Sequence, residues 1–165
     1  MTALARSTVK NFGDEPGTTA SLAGRLLGGR KVLREPVQTA LQAHDIVVNG
    51  LPSAALLHLI DAVGVLSRGD ALEKATGMSL RTVQRRKKDA AHSQLSPEQS
   101  SRTWRFAEVL AQATEVLGSQ GAAESWLESP AIGLENRRPI DLLASDVGAE
   151  AVKTYLTQME FGVYV

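Results

Sequence analysis

Apolar residues in this chain recur at spacings of three and four. Glycine or proline cuts that rhythm into short lengths at Gly28-Gly29, Gly50, Pro52, Gly64, Gly77, Pro97, Gly118, Pro130 and Pro139. Such a recurrence places side chains on one face of a helix, whereas a half-buried strand needs alternation by two. No window alternates convincingly; Asp45-Ile46-Val47-Val48-Asn49 is the one strand-like run, and it lies inside a helical pattern. The expected fold class is therefore all-α. With 165 residues the chain can bury a sizeable core, as one domain or two small ones.

Residues 1–20 mix Thr, Gly, Asp and Pro16 without a period and read as a flexible arm. Ser21 to Gly29 suits a short helix stopped by the glycine pair. Pro36 fits the first turn of a helix carrying Val37, Leu41, Ile46 and Val47 as far as Gly50. Pro52 opens another, with Ala55, Leu56, Leu59, Ile60 and Val63 on its buried stripe. Ser67, with Asp70 three residues on, resembles a capping box for a helix that Gly77 ends. Ser79 caps a further helix running to about Ala90. Ser93 to Gln99 is the best linker, which divides the chain into 21–92 and 97–165. Ser96-Pro97-x-Gln99 starts a helix bearing Trp104, Leu110, Ala111, Thr114 and Leu117, and both Trp104 and Trp126 suit core anchors. After a short helix around 122–128 and one or two turns at Pro139–Ala144, Asp146 caps a last helix with Val147, Ala151, Val152, Tyr155, Leu156 and Met159 at helical spacing.

Net charge is zero, but it is segregated. Between Leu66 and His92 seven cations face three acids, a net of +4, while from Asp141 onward one lysine faces four acids, a net of −3. The split fits one polyanionic and one basic partner, or merely uneven solvated surfaces. Within the basic stretch, Asp70 to Arg86 reads as a helix-turn-helix with a tight turn at Gly77. The second helix is expected to bury Leu80 and Val83 and to expose Arg81, Gln84, Arg85 and Lys88 on one face. That face suits the major groove, where arginine meets guanine, glutamine meets adenine and spare cations meet phosphate. A merely solvated basic helix is the other reading. Glu73 and Arg86 stand where the motif commonly has a small and an apolar residue. Surplus apolar faces at Leu56, Leu59, Leu110 and Leu117 suggest a homodimer, as does the pairing of helix-turn-helix modules on two half-sites.

Chemistry at a catalytic centre finds no support. The chain has no cysteine, and His44, His58 and His92 do not form a metal-ligand spacing. Gly28-Gly29-Arg30-Lys31 lacks the spacing of a phosphate loop, and no nucleophile elbow or paired carboxylates occur. The expectation is no catalytic residue, no metal and no cofactor. No apolar run approaches the ~18–20 residues of a membrane span, and no signal-peptide stretch opens the chain, so a cytoplasmic location with no membrane contact is expected.

A chain end is ordinarily polar, yet here Phe161, Val163, Tyr164 and Val165 crowd the last positions. They need cover from the protein's own core, a sister subunit or another protein. The pattern Trp126-Leu127-x-x-Pro130, Arg138-Pro139-Ile140-Asp141-Leu142-Leu143, Gly148-Ala149-Glu150-x-Val152 and Glu160-x-Gly162-Val163-Tyr164 resembles the toxin-binding domain of the Xre–MbcA–ParS antitoxins across about 97–165. Ser79-x-Arg81-Thr82-x-Gln84-Arg85-Arg86 similarly resembles the family's Xre-like helix-turn-helix.

The resemblance implies a type II antitoxin whose partner is a RES-domain toxin acting on NAD. It implies operator DNA as second partner, met by Ser79, Arg81, Thr82, Gln84, Arg85, Arg86 and Lys88, with repression of the protein's own operon. It also implies toxin contact from Arg138, Asp141, Tyr155, Met159, Glu160, Phe161, Gly162, Val163, Tyr164 and Val165. Arg138 and Asp141 would shape a turn bordering that surface, while the C-terminal end would occlude the NAD pocket. The rival is a free-standing helix-turn-helix transcription regulator that has no toxin partner.

Overall fold

The structure is a computed structural model, and it describes residues 17–163. Among them no β-strand forms; ten α-helices and two 3-10 turns account for the regular structure. In chain order the helices are α1 (Thr19–Leu26), α2 (Gly29–Leu33), α3 (Ala40–Asn49), α4 (Ser53–Ala62) and α5 (Gly69–Thr76). There follow α6 (Leu80–Lys87), α7 (Pro97–Leu117), α8 (Gln120–Leu127), α9 (Pro139–Leu142) and α10 (Asp146–Glu160). The all-α expectation holds. Among the described residues no helix is long and apolar enough to cross a membrane.

The long helix α7 is the spine. Its start is a reciprocal capping box in which the Ser96 hydroxyl accepts from Gln99 N and Gln99 Oε1 accepts from Ser96 N, with Pro97 inside the first turn. Thr103, Trp104, Phe106, Ala107, Leu110, Ala111 and Ala113 are all buried, so α7 is covered on several faces. Helices α1, α3, α5, α8 and α10 all pack on it. Burial of each large apolar side chain here contributes about 1.5–3 kcal/mol. The Ser93–Ser96 stretch ahead of it is tied down: Leu95 N donates to Leu51 O (2.8 Å) and Ser53 N to Ser93 O (3.0 Å).

Several element boundaries differ from expectation, and each has a local cause. Pro36 lies outside α3, because Thr39 and Gln42 form a capping box that starts the helix at Ala40. Val37 is nevertheless buried, packed where Gly24 leaves room. Ser67 does not cap α5: its hydroxyl donates to Gly64 O within a 3-10 turn, Gly64–Ser67. Ser145, not Asp146, caps α10 by accepting from Gly148 N, which frees Asp146 to meet Arg105. Helix α6 stops at Lys87 rather than near Ala90, and the short α2 starts within the glycine pair, at Gly29 after the cap Gly28, where no helix was expected. The surplus apolar faces also disappear. Leu56, Leu59 and Leu110 are fully buried within the chain and Leu117 packs against the core, so these leucines give no argument for a dimer.

Candidate functional site

Helices α5 and α6 form the helix-turn-helix. Gly77 closes α5 with φ +74° and donates to Glu73 O (2.8 Å); a Cβ there would be strained and would also meet the Arg102 guanidinium. Arg102, from α7, donates to Lys74 O (2.8 Å) and so satisfies the end of α5. Ser79 then caps α6 by accepting from Thr82 N. Val83 and Met78 are buried between the helices. Arg81, Gln84, Arg85 and Lys88 stand exposed on one face and, with Thr82, line an open groove of about 440 Å³. Leu80 departs from expectation: as the first residue of α6 it is 50% exposed, and Val83 alone of the two is buried.

Arg86, grouped with the DNA-contacting residues by sequence, points elsewhere. Its guanidinium turns inward and donates to Ser53 Oγ (3.4 Å), Gln94 O (3.3 Å) and Gln99 Oε1 (3.0 Å). It thereby joins α6 to the start of α4 and to the capping box of α7. The cation stands in an apolar position of the motif because polar acceptors line its path.

An ion-pair cluster joins the helix-turn-helix to the C-terminal part. Asp141 on α9 accepts from Arg138 Nε and Nη2 (3.0 Å each) and from Lys74 Nζ of α5 (2.6 Å). Asp70 lies 3.5 Å from Lys74 and 3.6 Å from Arg138. The Arg138 hydrogen bond, helped by Lys74, holds the Asp141 carboxyl below its ordinary range despite some burial, while Asp141 raises both cations. Sequence reasoning found the Arg138–Asp141 turn but not its reach to α5. Nearby, Arg105 donates to Leu143 O (3.1 Å) and pairs with Asp146; burial, then the proximity of Arg102, lowers its pKa.

The far end of the molecule is built on α10. Ala149, Val152 and Leu156 face inward. Gln112 donates to Thr157 Oγ1 (3.1 Å) and Lys153 to Glu108 (2.5 Å), fixing α10 to α7. Residues 131–137 form a small hairpin: Ala131 N donates to Arg137 O (3.1 Å), and Glu135 and Asn136 both adopt positive φ in the turn. Gly133 in this hairpin lies on the Tyr155 ring, where any Cβ would collide with it. Tyr155 in turn stacks on Trp126 with centroids 6.3 Å apart.

Helix α10 ends by a Schellman closure: Val163 N donates to Gln158 O (2.8 Å) and Gly162 N to Met159 O (3.3 Å), with Gly162 at φ +65°. Gly162 ends helical geometry after Phe161, as its position suggested. Phe161 is 72% exposed and Val163 54%, and Glu160 is exposed beside them; Met159 is half-buried. Tyr164 and Val165 lie outside the described residues. Along the outer side of α10 runs an open groove of about 740 Å³, lined by Leu134, Val147, Glu150, Ala151, Thr154 and Gln158 among others. Its exposed apolar side chain, Val147, was missed as a surface because it sits at core-like helical spacing.

The geometry defines a class: a helix-turn-helix protein with an exposed basic second helix and a helical C-terminal part that leaves an apolar end uncovered. Residues 42–108 match the antitoxin Xre-like helix-turn-helix domain, and residues 112–162 match the antitoxin Xre/MbcA/ParS C-terminal toxin-binding domain. The chain is 29% identical to the protein named Antitoxin Xre of Yersinia enterocolitica over 122 residues, covering 72% of this chain and 81% of that relative. This chain belongs to the Xre/MbcA/ParS antitoxin family.

Proposed function

We propose that the protein is the antitoxin of a type II pair, that its partner is a RES-domain toxin consuming NAD, and that its C-terminal end occludes the toxin's active site. The carrying observation is the Schellman closure of α10. It turns the chain out of the helix at Gly162, the last residue of the stretch that matches a toxin-binding domain, with Phe161 and Val163 uncovered on either side. Beyond that exit the sequence supplies Tyr164, a ring able to stack where a nicotinamide or adenine lies, and Val165. Glu160 supplies a carboxylate for cations that would otherwise hold the NAD diphosphate. Such an inhibitor acts by occupancy and needs no catalysis of its own. Autorepression is the second part of the proposal. The exposed Arg81, Gln84, Arg85 and Lys88 support docking of α6 in the major groove, where Leu80 offers an apolar contact for a thymine methyl. A homodimer, a cytoplasmic setting and a division into functional parts near residues 93–96 belong to the same reading.

The test is deletion of residues 160–165, assayed with the toxin encoded beside it. NAD consumption should be released, while far-UV circular dichroism and binding to a promoter fragment stay unchanged. A truncated protein that remains folded and still protects cells ends the occlusion reading.

A further inference from the structure

The outer face of α10 carries a second row of side chains, apolar at both ends and polar at Thr154 and Gln158, that faces away from the core. Val147, Ala151, Thr154, Gln158 and Phe161 follow one another by four, three, four and three residues, which is the spacing of a single helix face. The inner face of the same helix is separate and already buried through Ala149, Val152 and Leu156. Val147 is 82% exposed at one end of the row. Ile132, 85% exposed, precedes Gly133 on the hairpin that Gly133 seats on Tyr155. Val147, Ala151, Gly133 and Leu134 line the 740 Å³ groove, and Ile132 is the chain neighbour of that lining. Isolated exposed apolar residues are ordinary, but a contiguous set along a groove marks an interaction surface.

The charge on this surface narrows the occupant. Asp146 and Glu150 line the groove, and no cation lines it among the described residues. Asp146 is engaged by Arg105, whereas Glu150 makes no ion pair among the described residues. The row passes through Thr154 and Gln158 to the exposed Phe161, and the whole groove falls within the stretch that matches a toxin-binding domain.

We infer that the toxin is held at two separate points: the tail that enters its active site, and the groove along α10, which receives an apolar ridge of the toxin flanked by a lysine or arginine. This inference rests on the antitoxin reading above. It divides the labour within the interface. The groove supplies grip, with Ile132 and Val147 closing over the ridge and Glu150 pairing with its cation. The tail supplies inhibition.

Three variants of the full-length protein separate these roles: the Ile132→Gln, Val147→Gln pair, Glu150→Lys, and deletion of 160–165. Each is captured on the toxin encoded by the neighbouring gene, with the toxin's activity removed by substitution for the binding measurements. The groove variants should dissociate about 10–100-fold faster, the loss typical of central interface contacts. At saturating concentration they should still block NAD consumption by active toxin. The deletion variant should still bind but no longer block. Circular dichroism should be unchanged for the groove variants, since both aliphatic side chains are exposed. Wild-type dissociation rates in the groove variants overturn the inference. So does a change in the mass of the free protein alone, which assigns the face to a second copy. If the wild-type protein itself fails to bind the toxin, the antitoxin reading falls first and this inference falls with it.

Discussion

Arg85 and Arg86 are neighbours in sequence and do opposite work in the structure. Arg85 is exposed beside Arg81 and Gln84, while the Arg86 guanidinium reaches Ser53, Gln94 and Gln99. Removing Arg86 orphans acceptors in a partly buried site and should destabilise the protein by about 1–3 kcal/mol. Arg86→Lys should not restore it, because a single ammonium cannot span the Gln94 carbonyl and the Gln99 amide together. Arg85→Ala should leave stability within about 0.5 kcal/mol and weaken promoter binding by about 1–3 kcal/mol. Urea unfolding and fluorescence anisotropy on a promoter fragment measure the two effects. Equal stability losses would mean that Arg86 is only a solvated cation.

At the scale of elements, the hairpin 131–137 and α10 depend on one close contact. Gly133 lets the hairpin lie flat on Tyr155, and Tyr155 stacks on Trp126 of α8. A methyl group at position 133 has to displace that ring or lift the hairpin. Gly133→Ala should therefore cost about 1–3 kcal/mol and change the near-ultraviolet dichroism contributed by Trp126, with far-UV signal retained. The same displacement should move Leu134 and the hairpin out of the groove and speed dissociation of the toxin. An unchanged near-ultraviolet spectrum would show that the hairpin does not need this approach.

For the whole molecule, the consequential feature is the cluster of Asp70, Lys74, Arg138 and Asp141. It ties the first helix of the helix-turn-helix to the turn before α10, alongside the packing of α5 and α10 on α7. The Asp141 carboxyl has a folded pKa held below its ordinary value, chiefly by Arg138 and then by Lys74. The pairing thus contributes fully above the ordinary carboxylate range and is lost as pH falls through the depressed folded value. Lys74 is shifted upward, so its share is lost only as pH rises through its folded value in alkali. Asp141→Asn should lower Tm near neutrality by about 1–4 °C, and the gap to wild type should close as pH falls through the depressed folded value of Asp141. High salt should shrink it as well, since these groups are partly exposed. A gap that persists at low pH would assign the loss to packing rather than charge.

Much of this was already present in the order of residues. Helical periodicity, the capping box at Ser96 and Gln99, the Ser79 cap, and the glycine stops at Gly77, Gly118 and Gly162 are interactions between near neighbours. Local chemistry alone therefore determined the helices and most of their ends. The same locality made the basic face of α6 legible, because residues three and four apart on a helix must share a side. What the sequence left open were choices between partners far apart in the chain. Whether Asp146 or Ser145 capped α10 depended on Arg105 lying near, and whether Arg86 faced solvent depended on Ser53, Gln94 and Gln99. Whether Val147 met the core or the groove depended on which face of α10 lay against α7. Helical spacing fixes which side chains share a face; only tertiary packing decides which face is buried, because burial is a property of the space between elements.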